Sequence, residues 1–150
     1  MLVPAPKAPK LLEREVTRQI RDFMTSHGWR AIRHQRTVVP GQFQSGEPGI
    51  PDYSFVYYLP RNKVLGACVL VWIEMKGTHD KRRCNCLQRQ VQGKKGKCTN
   101  CTQADWRRRE ESRGAVFAPG NDYSVFETWY SQKFGWLHDG RLPGQLEMFL

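Results

Sequence analysis

Three residues with ionisable side chains lie at the ends of two apolar stretches. Asp52 follows the turn-forming residues Gly49-Ile50-Pro51, and Glu74 and Lys76 come at the end of an almost continuously apolar run over residues 67–73. Side chains two residues apart share one face of a strand, so Glu74 and Lys76 point the same way. Because unpaired charges are costly to bury, these groups must open onto a pocket, pair with each other or hold a metal ion.

Asp52 and Glu74 together have the chemistry of a magnesium site. If the strands next to them pair as a meander, the two carboxylates converge at one end of the sheet. Mg²⁺ prefers one or two carboxylates together with water and phosphate oxygens. The alternative is an edge ion pair of Glu74 with Lys76 and a turn-forming Asp52. The presence of all three residues in a basic chain favours a functional site.

Four of the five cysteines form two closely spaced pairs, Cys84-x-Cys86 and Cys98-x-x-Cys101. Two such pairs are typical of a tetrahedral zinc site that has four thiolate ligands. The residues between the pairs are almost entirely polar and cannot order themselves on a core, so a bound metal is the expected source of order. The alternatives are a flexible loop with free thiols, or disulfides, which are rare inside cells.

The elements that must position these residues follow from hydrophobic periodicity. Spacings of three and four predict a first helix over residues 11–27. The later elements are predicted as strands over 29–39, 53–59 and 67–75, a helix over 102–113, a strand over 115–118 and a helix over 123–134. The apolar third strand is expected to be buried on both faces, with Cys68 packed in the core. This order predicts an α/β domain with a central mixed sheet.

The charge balance indicates a polyanionic partner. The 150 residues include 24 Lys and Arg against 14 Asp and Glu, a formal net charge of +10. Residues 78–113 alone have 11 basic against 4 acidic residues, and nucleic acid is the simplest partner for such a segment. Residues 67–73 are far fewer than the roughly 20 apolar residues that span a bilayer. Residues 1–10 are rich in Pro and Lys and lack the apolar core of a signal peptide. We expect a cytoplasmic protein, or one of the host cytoplasm if a phage encodes it.

The order of Asp52 and then Glu74-x-Lys76 after an apolar strand resembles the PD-(D/E)XK nuclease superfamily. The strings Gly49-Ile50-Pro51-Asp52 and Ile73-Glu74-Met75-Lys76-Gly77 are similar to those of its VRR-NUC (virus-type replication–repair nuclease) branch. The resemblance spans about residues 11–120 and leaves out the cysteine segment and the tail. It implies a restriction-endonuclease-like αβββαβ core, here with a zinc-binding insertion.

The resemblance also implies a role for each matching residue. Asp52 and Glu74 become ligands of Mg²⁺ or Mn²⁺, and the main-chain carbonyl of Met75 is a further ligand. Lys76 orients or deprotonates the attacking water, or offsets the charge that develops on the phosphate. Gln103, on the second predicted helix, is expected to reach toward the active site.

The same family places a glutamate of the first helix at the metal. On a helical wheel centred on Val16, Glu13 lies nearer the core-facing side than Glu15 does. Glu13 is therefore the predicted ligand, with Glu15 as the alternative. A solvated helix face that carries both acids is the remaining alternative.

The predicted function is a metal-dependent, structure-specific DNA endonuclease, with branched DNA of the Holliday-junction type as substrate and a homodimer as the form that cuts it. The predicted domains are a flexible lead-in over 1–10, a nuclease domain over 11–138 with its zinc insertion over 78–101, and a tail over 139–150. Basic residues of the insertion are expected to contact DNA: Arg82, Arg83, Arg89, Lys94, Lys95 and Lys97. The alternatives are a restriction or defence nuclease acting on duplex or single strands, and a non-catalytic zinc-ribbon nucleic-acid-binding protein.

The C-terminal tail is a separate candidate site. Gln145-Leu146-Glu147-Met148-Phe149 is similar to the pentapeptide with which proteins bind the bacterial sliding clamp. In such a peptide Gln145 would contact the rim of the groove, while Leu146, Met148 and Phe149 would fill apolar pockets. The alternative is that these apolar residues fold back onto the core.

Overall fold

The computed structural model describes residues 12–34, 47–59, 66–77 and 84–139. In chain order the elements are α1 (Glu13–Ser26), β1 (Arg30–Arg33), β2 (Tyr53–Tyr58), β3 (Cys68–Ile73), α2 (Cys86–Val91), α3 (Thr99–Glu111), β4 (Val116–Ala118) and α4 (Tyr123–Asp139). None of the helices in these ranges is long and apolar enough to cross a membrane.

The four strands form one mixed sheet in the order β1-β2-β3-β4. β1 and β2 are antiparallel, β2 and β3 are antiparallel, and β3 and β4 are parallel. In the register of β2 with β3, Tyr53 lies opposite Ile73, so the chain before β2 and the chain after β3 meet at the same end of the sheet. The predicted α/β class with a central mixed sheet is confirmed.

Helices cover both faces of the sheet at this end. α1 and α4 pack together on one face and bury an apolar core made of Val16, Ile20, Met24, Phe55, Val71, Ile73, Phe126, Tyr130 and Phe134. α3 lies on the other face, where the Trp106 ring is 5.0 Å from Trp72 and 5.8 Å from Phe117 between centroids. The strand ends next to Asp52 and Glu74 are therefore held between two layers of helix.

The prediction that β3 is buried on both faces is wrong for its first half. Val71 and Ile73 are fully buried, but Cys68 is exposed and Leu70 is 39% exposed. The alternate face of β3 is covered only near Trp72, where Trp106 of α3 packs against it. The prediction that Cys68 packs in the core is wrong for the same reason.

Three element boundaries differ from the predicted ones by more than two residues. α3 begins at Thr99, three residues earlier than predicted, because the Cys98 sulfur accepts a hydrogen bond from the backbone N–H of Cys101 and caps the helix. α4 continues to Asp139 because the side chains of its last turns still pack against the core. The short helix α2 was not predicted. β1 covers only the first part of the predicted strand over 29–39, and residues 35–39 lie outside the described ranges.

Candidate active site and cysteine cluster

Asp52 and the residues after β3 lie side by side at one end of the sheet. The backbone N–H of Met75 donates a hydrogen bond of 3.1 Å to Oδ2 of Asp52. On its other side, the Asp52 carbonyl accepts a bond of 2.8 Å from the N–H of His34, which extends the β1–β2 ladder. The antiparallel register thus brings Asp52 next to the segment that carries Glu74 and Lys76, as the meander requires.

Glu74 is a nearly buried carboxylate with two polar neighbours. Its side chain is 10% exposed, and its Oε1 lies 3.2 Å from Nζ of Lys76. The same Oε1 accepts a short hydrogen bond from Nε2 of Gln103, the residue on α3 that was expected to reach this site. A cation and an amide donor therefore contact a carboxylate that the sheet has largely removed from water.

Two glycines permit close approach of the loops that carry this site. Gly49 has φ +87°, and a Cβ at this position would lie 2.5 Å from the carbonyl oxygen of Thr102 on α3. A Cβ on Gly120 would clash with the Glu74 carbonyl, while the Gly120 carbonyl accepts a bond of 2.9 Å from the N–H of Lys76. Gly120 was not among the predicted site residues, although Pro119-Gly120 marks a turn directly after a predicted strand.

The strand end opens onto a cavity of about 980 Å³. Asp52, Met75 and Gln103 line it from the sheet and α3, and Glu13 and Glu15 line it from α1. Glu13 is exposed and Glu15 is half-buried, with Oε2 of Glu15 accepting a bond of 3.0 Å from the N–H of Leu12. Glu13 is thus not turned to the core as the wheel suggested, and the choice between the two acids as a ligand stays a prediction.

His34 lies at the wall of the same cavity. Its Nε2 is 2.8 Å from the Ser54 hydroxyl, and its ring lies 5.2 Å from that of Trp72. Burial lowers the pKa of His34 below its ordinary value. At neutral pH this side chain therefore adds little positive charge to the cavity.

The four clustered cysteines come together as the sequence predicts. Their sulfur atoms all lie within 4.8 Å of one another, with Sγ of Cys101 at 3.4 Å from Cys84 and 3.7 Å from Cys86. Zn–S bonds of about 2.3 Å in a tetrahedron place sulfurs about 3.8 Å apart. All four thiols are free of disulfides, and the group could bind one zinc ion.

Backbone and sulfur contacts shift the acidity of this group in opposite directions. Hydrogen bonds from the backbone N–H groups of Asn85 and Cys101 lower the pKa of the Cys98 thiol to about 6. The neighbouring sulfur of Cys84, followed by those of Cys98 and Cys86, raises the pKa of Cys101 to about 12. Four sulfurs packed this closely repel one another as thiolates, and a divalent cation at their centre removes that repulsion.

The predicted DNA-binding residues of the insertion have different surroundings. Lys94 and Lys95 are exposed, whereas Nη2 of Arg89 donates to the Lys95 carbonyl at 3.2 Å. Nζ of Lys97 lies 2.5 Å from Oδ2 of Asp105, and this contact raises the pKa of the lysine. Arg82 and Arg83 lie outside the described residues, as do the tail residues Gln145, Leu146, Met148 and Phe149.

No protein-family model matches this chain, and neither does any curated protein or solved structure. Its chemistry must therefore be inferred from its own side chains. Within the described ranges, the cysteines are the only group of three or more His, Cys, Asp or Glu residues whose donor atoms lie close enough to hold one ion. At the strand end, Asp52 lines the cavity of about 980 Å³, Glu74 lines a second one of about 530 Å³, and Gln103 lines both. These are two carboxylates on neighbouring segments, and no described third acid joins them. Two carboxylates are within the range that Mg²⁺ uses when water completes its shell.

Proposed function

We propose that this protein is a metal-dependent DNA endonuclease of the PD-(D/E)XK type, with its active site at the end of β2 and β3. The observation that carries the proposal is the placement of Asp52, Glu74, Lys76 and Gln103 at one end of the sheet, where Asp52 and Gln103 line an open cavity. The order α1-β1-β2-β3-α3-β4 agrees with the αβββαβ core that the resemblance implies, with α2 as an addition before α3.

Each of these side chains has a role that its surroundings permit. Asp52 and Glu74 would hold Mg²⁺ or Mn²⁺, with the Met75 carbonyl as an additional ligand. Such an ion, when bound, lowers the pKa of a water molecule and polarises the phosphate. Lys76, 3.2 Å from Glu74, orients the attacking water or offsets charge on the phosphate. Gln103 fixes the orientation of the Glu74 carboxylate through its hydrogen bond.

DNA is the proposed substrate because the chain has a formal net charge of +10 and basic residues around an open cavity. Branched DNA of the Holliday-junction type, cut by a homodimer, is the form that the family resemblance favours. In this proposal the zinc-bound insertion binds DNA beside the scissile phosphate. Delivery to a bacterial sliding clamp through the tail stays a separate prediction.

The proposal is tested by cleavage of a panel of four-way junction, flap, duplex and single-stranded DNA in Mg²⁺ or Mn²⁺. Glu74→Gln and Lys76→Met keep the size of each side chain and remove its charge, so each should lower the cleavage rate by about 100-fold or more. Glu127→Gln and Lys133→Met make the same changes at exposed positions of α4 and should leave the rate unaltered.

Cleavage that survives both active-site changes would contradict the assignment of the site. Preferential cutting of plain duplex or single strands would favour the restriction or defence alternative. DNA binding without cleavage in either metal would leave the non-catalytic zinc-ribbon protein, for which the cysteine cluster is the supporting observation.

A further inference from the structure

Three arginines form a narrow row along the exposed side of α1. Arg14, Arg18 and Arg21 are four and three residues apart, so at 100° per residue they fall within an arc of about 60°. The buried residues of this helix, among them Val16 and Ile20, lie on the other side. We call Arg14, Arg18 and Arg21 the α1 arginine row.

The α1 arginine row faces the candidate active site. All three residues line the same cavity as Asp52 and Met75, and the exposed Arg33 of β1 lines it with them. A solvated helix face requires no such placement, because arginines on an outer surface have no reason to gather along the wall of one cavity. The row therefore adds positive charge to the wall of the cavity that Asp52 lines, where Glu13 and Glu15 of the same helix also lie.

Arginines in α3 and directly after it differ from this row in their ion pairing. Arg107 lies 2.7 Å from Glu111, Arg109 lies 2.6 Å from Glu47, and Arg113 lies 2.7 Å from Glu110. In the part of the chain that the structure describes, Arg14 and Arg18 make no ion pair. Arg21 reaches only the exposed Asp22 at 3.9 Å. The guanidinium groups of the row thus keep their donors available for another anion.

We propose that the α1 arginine row binds consecutive phosphates of a DNA strand on the α1 side of the active site. This inference rests on the proposed function and names the surface that holds the substrate. The row extends about 10 Å along the helix axis, at 1.5 Å per residue. Each strand of duplex DNA has one phosphate per 3.4 Å of helix axis, so three consecutive phosphates span about 7 Å of that axis, which the row covers. Contacts of this kind position the strand and do not read its sequence.

The test measures binding of a fluorescently labelled duplex and a labelled four-way junction across a series of salt concentrations. Magnesium and manganese are left out to prevent cleavage, and no chelator is added, so the cysteine cluster keeps its metal. The logarithm of the DNA association constant falls linearly with the logarithm of the salt concentration. The triple variant Arg14→Gln, Arg18→Gln, Arg21→Gln should reduce the magnitude of this slope by about 2 to 3. At physiological salt we expect its affinity to fall by about 10- to 100-fold.

The matched control removes the same charge elsewhere, with Arg109→Gln, Arg113→Gln and Lys133→Gln. It should change the slope much less, because two of these side chains are already paired with acids and none lines the cavity. A second triple variant with lysine at 14, 18 and 21 should restore most of the slope. Thermal unfolding of each variant checks that the fold is intact.

The possible outcomes separate this inference from the proposed function. Equal loss in the α1 variant and the control would show an effect of net charge alone and overturn the row as a site. Normal cleavage with unchanged binding in the α1 variant would overturn the row and leave the nuclease. Row-dependent binding without cleavage would remove the nuclease and leave the row as a DNA-binding surface. Absence of DNA binding by the unmodified protein would overturn both.

Discussion

The strand-end site and the cysteine segment are organised in opposite ways. At the strand end, the register of β2 with β3 determines the positions of Asp52 and Glu74. Both lie next to a core in which Phe55, Val71 and Ile73 are fully buried. In the cysteine segment, residues 84–101, no residue of α2 is buried, and Leu87 is 79% exposed. Its one buried residue is Cys98, a member of the sulfur group.

This difference shows which site the folded chain prepares in advance. Hydrophobic burial fixes the strand end whether or not an ion is bound, since the same strands also form the core. The cysteine segment buries too little apolar surface to offset the entropy of ordering it. A metal ion at the four sulfurs would supply that free energy. The strand end is thus ordered by the core, and we expect the cysteine segment to be ordered by zinc.

The largest expected effect comes from removing the metal of the cysteine segment. Purified protein should contain about one zinc per chain, and Cys98→Ser should lose it. Zinc supplies on the order of 10 kcal/mol to small domains that it organises. Hydrogen exchange should therefore become fast in residues 84–101 of the variant, while β2 and β3 stay protected.

Cys68→Ser is the matched control, because Cys68 is exposed and lies outside the sulfur group. It should keep both the zinc and the exchange pattern. Metal-free wild-type protein with four reactive thiols and a protected segment 84–101 would contradict the contrast between the two regions.

An intermediate effect is expected at the loop that carries Asp52. Gly49→Ala places a side chain at φ +87° and against the backbone of α3. The free energy of unfolding should therefore fall by about 2 to 4 kcal/mol. Gly66→Ala has a similar φ of +74° with open space around it and should lose only about 1 kcal/mol. Urea unfolding measures both variants. Equal losses in the two variants would show that the close approach of this loop to α3 does not contribute to stability. The zinc content of both variants should be unchanged.

The smallest effect concerns the start of α4, on the side of the core away from α3. Oδ1 of Asp122 accepts from the backbone N–H groups of Ser124 and Val125, so Asp122→Ala should cost about 1 kcal/mol. A hydrogen bond from the Ser124 hydroxyl lowers the pKa of Asp122 below its ordinary 3.8. The extra stability of the ionised form is therefore complete above this ordinary value and is lost as the pH falls through the lower, folded-state pKa.

Asp122→Asn tests the charge separately, since asparagine also caps helices well. Its difference from the wild type in thermal unfolding should be a few tenths of a kcal/mol near pH 7. This difference should shrink near pH 3. A difference that grows on acidification would contradict the assignment, and zinc content at neutral pH should not change.

The sequence was most informative where periodicity and packing agree. The buried stripe of Val16, Ile20 and Met24 predicted α1 to within two residues, and the order of strands predicted that Asp52 lies beside the segment after β3. A last helix over residues 123–134 was also predicted, and the structure has it as α4, which buries Tyr130 and Phe134 in the core. In each case a local pattern and the tertiary contact required the same structure.

Prediction failed where contacts with residues distant in the sequence determine burial or the position of an element. Cys68 belongs to an apolar run but lies beyond the helices that cover β3. α2 has no apolar periodicity, and sulfur contacts rather than burial locate it. The approach of Gln103 to Glu74 followed only from a family resemblance, since nothing in residues 99–111 alone indicates which strand that helix will face.

The contact between Cys84 and Cys101 has a consequence for how this protein can vary. Because their sulfurs lie 3.4 Å apart, the chain between them forms a closed loop whose two ends meet. The entropy of closing a flexible loop grows only with the logarithm of its length, by about 0.6 kcal/mol for each doubling. Insertions and deletions between Cys86 and Cys98 should therefore be tolerated without moving Gln103, so the length of this segment can change while the strand end stays the same.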